Sequence, residues 1–197
     1  VPADSVGMLF GGSGTFKSFI ALDAALHVAH GLPWMGRKTA KGPVIYIAAE
    51  GGAGLWSRIK AWHKQRGLRP SDAQVYVVPA AVDLTLDAWR VVEAAQLQGV
   101  APLMVVVDTL SQTYAGEENS ANEMASYLRE LGARFRDLWQ CTVLLVHHTG
   151  HQATERRHAL IAGQRLFCGP TLFSFIVQLL GTLIDPQLQL LIQCFIA

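Results

Sequence analysis

Five short apolar runs recur along the chain, each closed by a polar, glycine or proline turn, and helical segments fall between them. The runs are Val6 to Phe10, Val44 to Ala49, Ala73 to Val78, Pro102 to Thr109 and Cys141 to Val146. They are rich in β-branched residues, and most are apolar at consecutive rather than alternate positions, which suits strands of a parallel sheet covered on both faces. The helical segments are Phe19 to Ala29, Leu55 to His63, Leu86 to Leu97, and about Ala121 to Trp139. The third carries Leu86, Trp89, Val92 and Leu97 near one face. The last places Met124, Leu128, Leu131 and Phe135 on one face, an ordinary core stripe of period 3.6. Strand and helix alternate, so the fold class is α/β, a mainly parallel twisted sheet flanked by helices.

Candidate chemistry sits where these runs end. Gly11-Gly12-Ser13-Gly14-Thr15-Phe16-Lys17-Ser18 joins the first strand to the first helix. Glycines let a backbone fold into an anion-sized nest whose N–H groups face phosphates, and a lysine can reach the terminal ones. Ser18 is placed to ligate Mg²⁺. Phe16 stands where the usual G-x-x-x-x-G-K-[ST] pattern has glycine, which leaves open a Gly-rich turn with a solvated lysine. Glu50 follows the second strand directly and lies at the carboxyl edge of the sheet, where α/β folds bind ligands. It fits a helix N-terminal acid equally well. Asp108 ends the fourth strand, the pattern that sets a carboxylate beside a nucleotide's Mg²⁺, although strands also end in Asp for turn reasons. His147 and His148 close the fifth strand. Neighbouring strand residues point to opposite faces, so a metal held by both is disfavoured, and a polar switch near a γ-phosphate is the better reading for one of them.

Length and charge narrow the classes. The chain has 197 residues, suited to one α/β domain, and a net charge of +1 with 16% charged residues, so no basic field announces nucleic acid. Cys141, Cys168 and Cys194 form no C-x-x-C or Cys/His pattern, and a reducing, cytoplasmic setting fits best. The opening Val1-Pro2-Ala3-Asp4 is unlike a signal peptide and is compatible with a truncated start. From Gly163 the composition changes: Leu166 to Ala197 holds one charged residue, Asp185. Extra core strands are one explanation, and a membrane anchor is disfavoured by Gly169-Pro170 and Gln178. The favoured reading is a tail foreign to the fold, for instance from a displaced frame, which divides the chain into an α/β domain over residues 1–162 and an atypical segment over 163–197 that takes no part in the phosphate-loop site.

Residues 6 to about 158 resemble the RecA-like P-loop ATPases of the RepA-type hexameric replicative helicases of plasmids and phages, also described as AAA-family ATPases. The resemblance lies in Gly11 to Phe19, Gly42 to Gly51, Val105 to Leu110, Glu118 to Met124 and Leu144 to His151, in that order and spacing. Members of that group also carry a bulky residue before the lysine, as Phe16 does here. The resemblance implies that ATP and Mg²⁺ are bound, with Gly11, Gly12, Ser13, Gly14, Thr15, Phe16, Lys17 and Ser18 as the phosphate loop and Asp108 holding the Mg²⁺ shell. It further implies that Glu50 activates the attacking water and that His147 or His148 senses the γ-phosphate. Hydrolysis would drive unwinding of DNA or translocation on single-stranded DNA by a homo-oligomeric, hexameric ring. The alternative is a nucleotide-dependent assembly switch of the same fold, which would not need Glu50 as a base. A small-molecule kinase would want an Arg-rich acceptor lid, and none is evident between Asp108 and Cys141. The resemblance stops near His158, and Glu155 to Leu160 only partly echo the segment that bears the group's neighbour-contacting arginine.

Overall fold

The computed structural model describes residues 3–50, 52–79, 81–116 and 120–148. Five strands form one sheet: β1 (Val6–Gly11), β2 (Val44–Ala48), β3 (Val75–Val78), β4 (Met104–Asp108) and β5 (Thr142–His148). Their order is β1-β5-β4-β2-β3 and every pairing is parallel. The helices are α1 (Lys17–His30), α2 (Gly52–Arg66), α3 (Ala88–Leu97) and α4 (Ala121–Leu131), the last continuing as a π-helical turn over Gly132–Asp137. This is the RecA-like P-loop NTPase architecture expected from the sequence. The segment from residue 149 onward, with the tail, lies outside the described residues.

Side chains alternate across the sheet, and both faces are covered. Ile45, Ile47, Val105, Val107, Val143 and Leu145 pack with α3 and α4, whereas Val44, Tyr46, Met104, Val106, Leu144 and Val146 pack with α1 and α2. Each position of β2 and β4 is buried, the physical reason those runs read as unbroken apolar sequence. Met124, Leu128, Leu131 and Phe135 all reach the core as their spacing predicts.

Of the stripe on α3 only Val92 packs against the core, partly buried. Leu86, Trp89 and Leu97 are 70%, 48% and 83% exposed, while Ala88, Val91 and Ala95 face the core. At about 100° per residue the two sets lie on opposite sides of the helix. The face that carries Ala88, Val91 and Ala95 is the one turned to the core, and the larger residues are left outside it.

The helix ends show local causes. α1 stops where Gly31 turns to φ 70° and its N–H bonds the carbonyls of His27 and Val28. Ser120 caps α4 by accepting the Glu123 N–H at 3.4 Å. Among the described residues no helix is long and apolar enough to cross a membrane, and no group of three or more His, Cys, Asp or Glu is placed to hold a metal ion.

Candidate active site

Because all five strands run in one direction, their carboxyl ends share an edge, and the candidate residues are brought together there. Gly11 at the end of β1 is in register with His148 of β5, Val146 of β5 with Asp108 of β4, and Asp108 with Ala48 of β2, two residues before Glu50. β5 lies between β1 and β4, so the histidine-bearing strand separates the Gly-rich loop from Asp108.

The loop forms a tight turn into α1. Gly14 takes φ +75°, and Phe16, with φ 59° and ψ 19°, is also left-handed at the N-cap of α1. That conformation costs a non-glycine residue about 1–2 kcal/mol but is open to it, so phenylalanine can do here what glycine does in the usual pattern. The Phe16 carbonyl accepts the Ile20 N–H at 3.0 Å to start the helix. Lys17 is 2% exposed and donates from Nζ to the carbonyls of Gly11 at 2.9 Å and Gly12 at 2.6 Å, and to Thr15 Oγ1 at 3.3 Å. Thr15 Oγ1 itself donates to the Gly12 carbonyl at 2.8 Å. Burial lowers the Lys17 pKa, while the charges of Asp108 and Glu50 push it back up.

Asp108 is 4% exposed and fully engaged. Ser18 Oγ donates to its Oδ1 at 3.0 Å, and the Tyr46 hydroxyl donates to its Oδ2 at 2.7 Å. Tyr46 also lies 3.4 Å from the Ser18 carbonyl. Burial pushes the Asp108 carboxyl up, opposed by these two hydrogen bonds, and burial together with the Asp108 charge pushes the Tyr46 phenol well above its ordinary value. On the next residue, Thr109 Oγ1 donates to Glu50 Oε1 at 2.8 Å and lies 3.0 Å from Ser111 Oγ. The other oxygen of Glu50 is 3.8 Å from His148 Nε2. The end of β2 is tied to the same spot, since the Asp108 carbonyl accepts the Ala49 N–H at 2.7 Å.

The two histidines separate as strand geometry requires. Leu144 and Val146 face α1 and α2, so His148 shares their side and stands beside Glu50; His147 follows Val143 and Leu145 toward the other layer.

Tyr46 and Thr109 were not singled out by sequence. Tyr46 had a signal: a tyrosine in an otherwise aliphatic buried strand must find a partner for its hydroxyl. Thr109 had none beyond its place after Asp108.

The donor set suits a nucleoside triphosphate with Mg²⁺: a desolvated ammonium inside a Gly-rich turn, and a hydroxyl paired with a carboxylate oxygen of the kind a hard cation takes. Such a loop, ending the first strand of an all-parallel sheet, defines a P-loop NTPase. The family follows from comparison: residues 1–154 match the AAA domain, and the chain belongs to that family of nucleotide-dependent ATPases. Comparison with curated proteins finds no match.

Proposed function

We propose that the protein hydrolyses ATP with Mg²⁺ as a helicase-type motor, coupling turnover to unwinding of DNA or movement along single-stranded DNA. The observation that carries the hydrolytic part is Glu50, a carboxylate held at one oxygen by Thr109 and flanked at the other by His148, on the same edge as Lys17 and the Ser18–Asp108 pair. A nucleotide switch that only gated association would have no use for a base so positioned. The DNA partner, the hexameric ring and the cytoplasmic setting rest on the sequence resemblance and composition given above.

In this reading each residue has a separate task. The amides of Gly12 to Lys17 hold the phosphates, and Lys17 neutralises charge that grows on the terminal phosphoryl group. Ser18 and Asp108 would hold Mg²⁺, which when bound would supply charge neutralisation to the phosphates. Glu50 accepts a proton from the attacking water as a bond from its oxygen to the γ-phosphorus forms and the bond to the leaving ADP oxygen breaks. His148, on the neighbouring strand beside Glu50, is the candidate sensor of that phosphoryl group. His147 is set aside from this task because it faces the other layer.

The test is ATP turnover by the full chain, measured with and without single-stranded DNA. Turnover stimulated by DNA supports the motor. Turnover indifferent to DNA would leave an ATPase of another purpose, and binding without turnover would favour the assembly switch.

A further inference from the structure

The small net charge conceals how unevenly the charges are spread. Residues 31–69 hold eight Lys or Arg against one carboxylate, Glu50, whereas residues 70–148 hold ten carboxylates against four Arg. The basic stretch supplies α2 and the loop between α1 and β2, on one side of the sheet, and the acidic stretch supplies α3 and α4 on the other. α2 has no acidic residue, and Trp56, Lys60 and Lys64 follow one another at intervals of four along its exposed face. The helix dipole favours Lys64 in the last turn but not Lys60, and two lysines four apart repel. The loop adds Arg37, Lys38 and Lys41, all exposed. It is folded back on the end of α1, since Thr39 Oγ1 donates to the Leu32 carbonyl at 2.8 Å and the Gly42 N–H to that of Val28 at 3.3 Å. Loop and helix adjoin: Trp34 and Trp62 donate to the two oxygens of Asp23, and the charge of Lys41 acts on His30, which meets His63 at 2.9 Å. Arg66 and Arg69 reach Asp23 and Asp72, but Arg37, Lys38, Lys41, Lys60 and Lys64 pair with no carboxylate among the described residues.

We propose that the outer face of α2 and the loop between α1 and β2 form a surface that binds the backbone of single-stranded nucleic acid, with Trp56 as a platform for one of its bases. A helix face of one sign weakens the fold slightly and gains nothing within the chain, whereas a polyanion offsets the repulsion. Sequence-indifferent sites for single strands join a basic track to aromatic faces on which bases stack. Trp56 is 49% exposed at the head of the lysine line, so one strand can lay a base on the indole and its next phosphates along Lys60 and Lys64. A folded protein fits this surface less well, because lysine is depleted at protein interfaces. A membrane also fits less well: the apolar side of α2, with Leu55, Ile59 and Trp62, is buried in the core and has nothing to insert. From Trp56 the line leads away from the carboxyl edge that holds Lys17 and Glu50, toward the end where α1 finishes. The surface therefore needs no bound nucleotide and stands apart from the phosphate-loop reading.

The experiment follows binding of a fluorescein-labelled oligothymidylate to the full chain, without nucleotide, over a range of salt concentrations. Each phosphate contact on a single strand contributes about 0.7 to the slope of log K against log salt, so Lys60→Gln combined with Lys64→Gln flattens that slope by about 1.4. Trp56→Ala weakens binding about tenfold and leaves the slope unchanged, because stacking releases no counterions. Lys60→Arg combined with Lys64→Arg keeps the wild-type slope, which separates lost charge from a disturbed helix. No binding by the wild-type chain, or a slope unchanged in the double Gln variant, would overturn the surface. So would tighter binding to phosphatidylserine vesicles or to polyglutamate than to the oligonucleotide, lost in the same variants. Turnover stimulated by DNA, with oligonucleotide binding untouched by these substitutions, would keep the motor and remove the surface. Binding that follows the substitutions while turnover ignores DNA would keep the surface and remove the motor.

Discussion

At the scale of single residues, the candidate site is a set of side chains each held by another. Glu50 leans on Thr109, and Asp108 is fixed between Ser18 and Tyr46. Replacing Glu50 by Gln keeps the shape and the Thr109 contact but removes the carboxylate proposed as the base. ATP binding is then retained while turnover falls at least about 10²-fold, read by steady-state hydrolysis beside equilibrium binding. Tyr46→Phe acts one step removed. It leaves Asp108 Oδ2 buried without its donor, so the Mg²⁺ concentration giving half-maximal turnover rises about tenfold, as is typical when a ligand's supporting hydrogen bond is lost. A Mg²⁺ dependence unchanged in Tyr46→Phe would separate the phenol from the metal site. Lys17, Ser18, Glu50 and Asp108 were legible in sequence because each stands at a strand end or in a Gly-rich turn. Tyr46 and Thr109 matter through hydrogen bonds to residues far along the chain, and no local pattern carries that information.

At the scale of elements, α1 and α2 are joined by a buried carboxylate. Asp23 accepts from the indole of Trp62 at 2.7 Å and of Trp34 at 2.9 Å, and pairs with Arg66 at 3.3 Å and His27 at 3.4 Å. Asp23→Ala strands two indole N–H groups and a guanidinium, so it lowers stability by about 3 kcal/mol in urea denaturation. Further along the same helices, His63 Nδ1 must donate to the Ile59 carbonyl at 2.7 Å, so its Nε2 accepts from His30 Nε2–H at 2.9 Å. Burial, then the neighbouring His63 and Lys41, hold the His30 pKa below the ordinary histidine value, with Asp72 opposing and His27 adding slightly. The unfolded chain therefore takes up this proton first. Stability contributed here is present above about pH 6.5 and is lost as pH falls below it. The thermal midpoint accordingly drops between pH 7.5 and 5.5, and His30→Gln flattens that drop. Helix existence was readable from sequence, but the buried face of α3 was not: periodicity weighs size and hydrophobicity, whereas tertiary packing turned Ala88, Val91 and Ala95 to the core.

At the scale of the whole molecule, the five strands were each visible as apolar runs, but their order was not. Strand order is a matter of non-local pairing, and nothing in the sequence of β5 announces that it slots between β1 and β4. That insertion is what brings His148 to Glu50. Ligand binding to the folded state alone stabilises the entire domain by mass action. ATP with Mg²⁺ at about 100 times its dissociation constant adds about 2.7 kcal/mol to the wild-type chain. In Lys17→Ala at the same ATP concentration the thermal midpoint stays near its ligand-free value, and a full shift there would remove Lys17 from the binding loop.

The ammonium of Lys17, already shared among Gly11, Gly12 and Thr15, is held inside the turn by the loop's own oxygens. An anion that gains this cation exchanges those contacts for its own, so the net attraction is smaller than the bare charge suggests, and the turn is kept in shape by the cation until that exchange takes place.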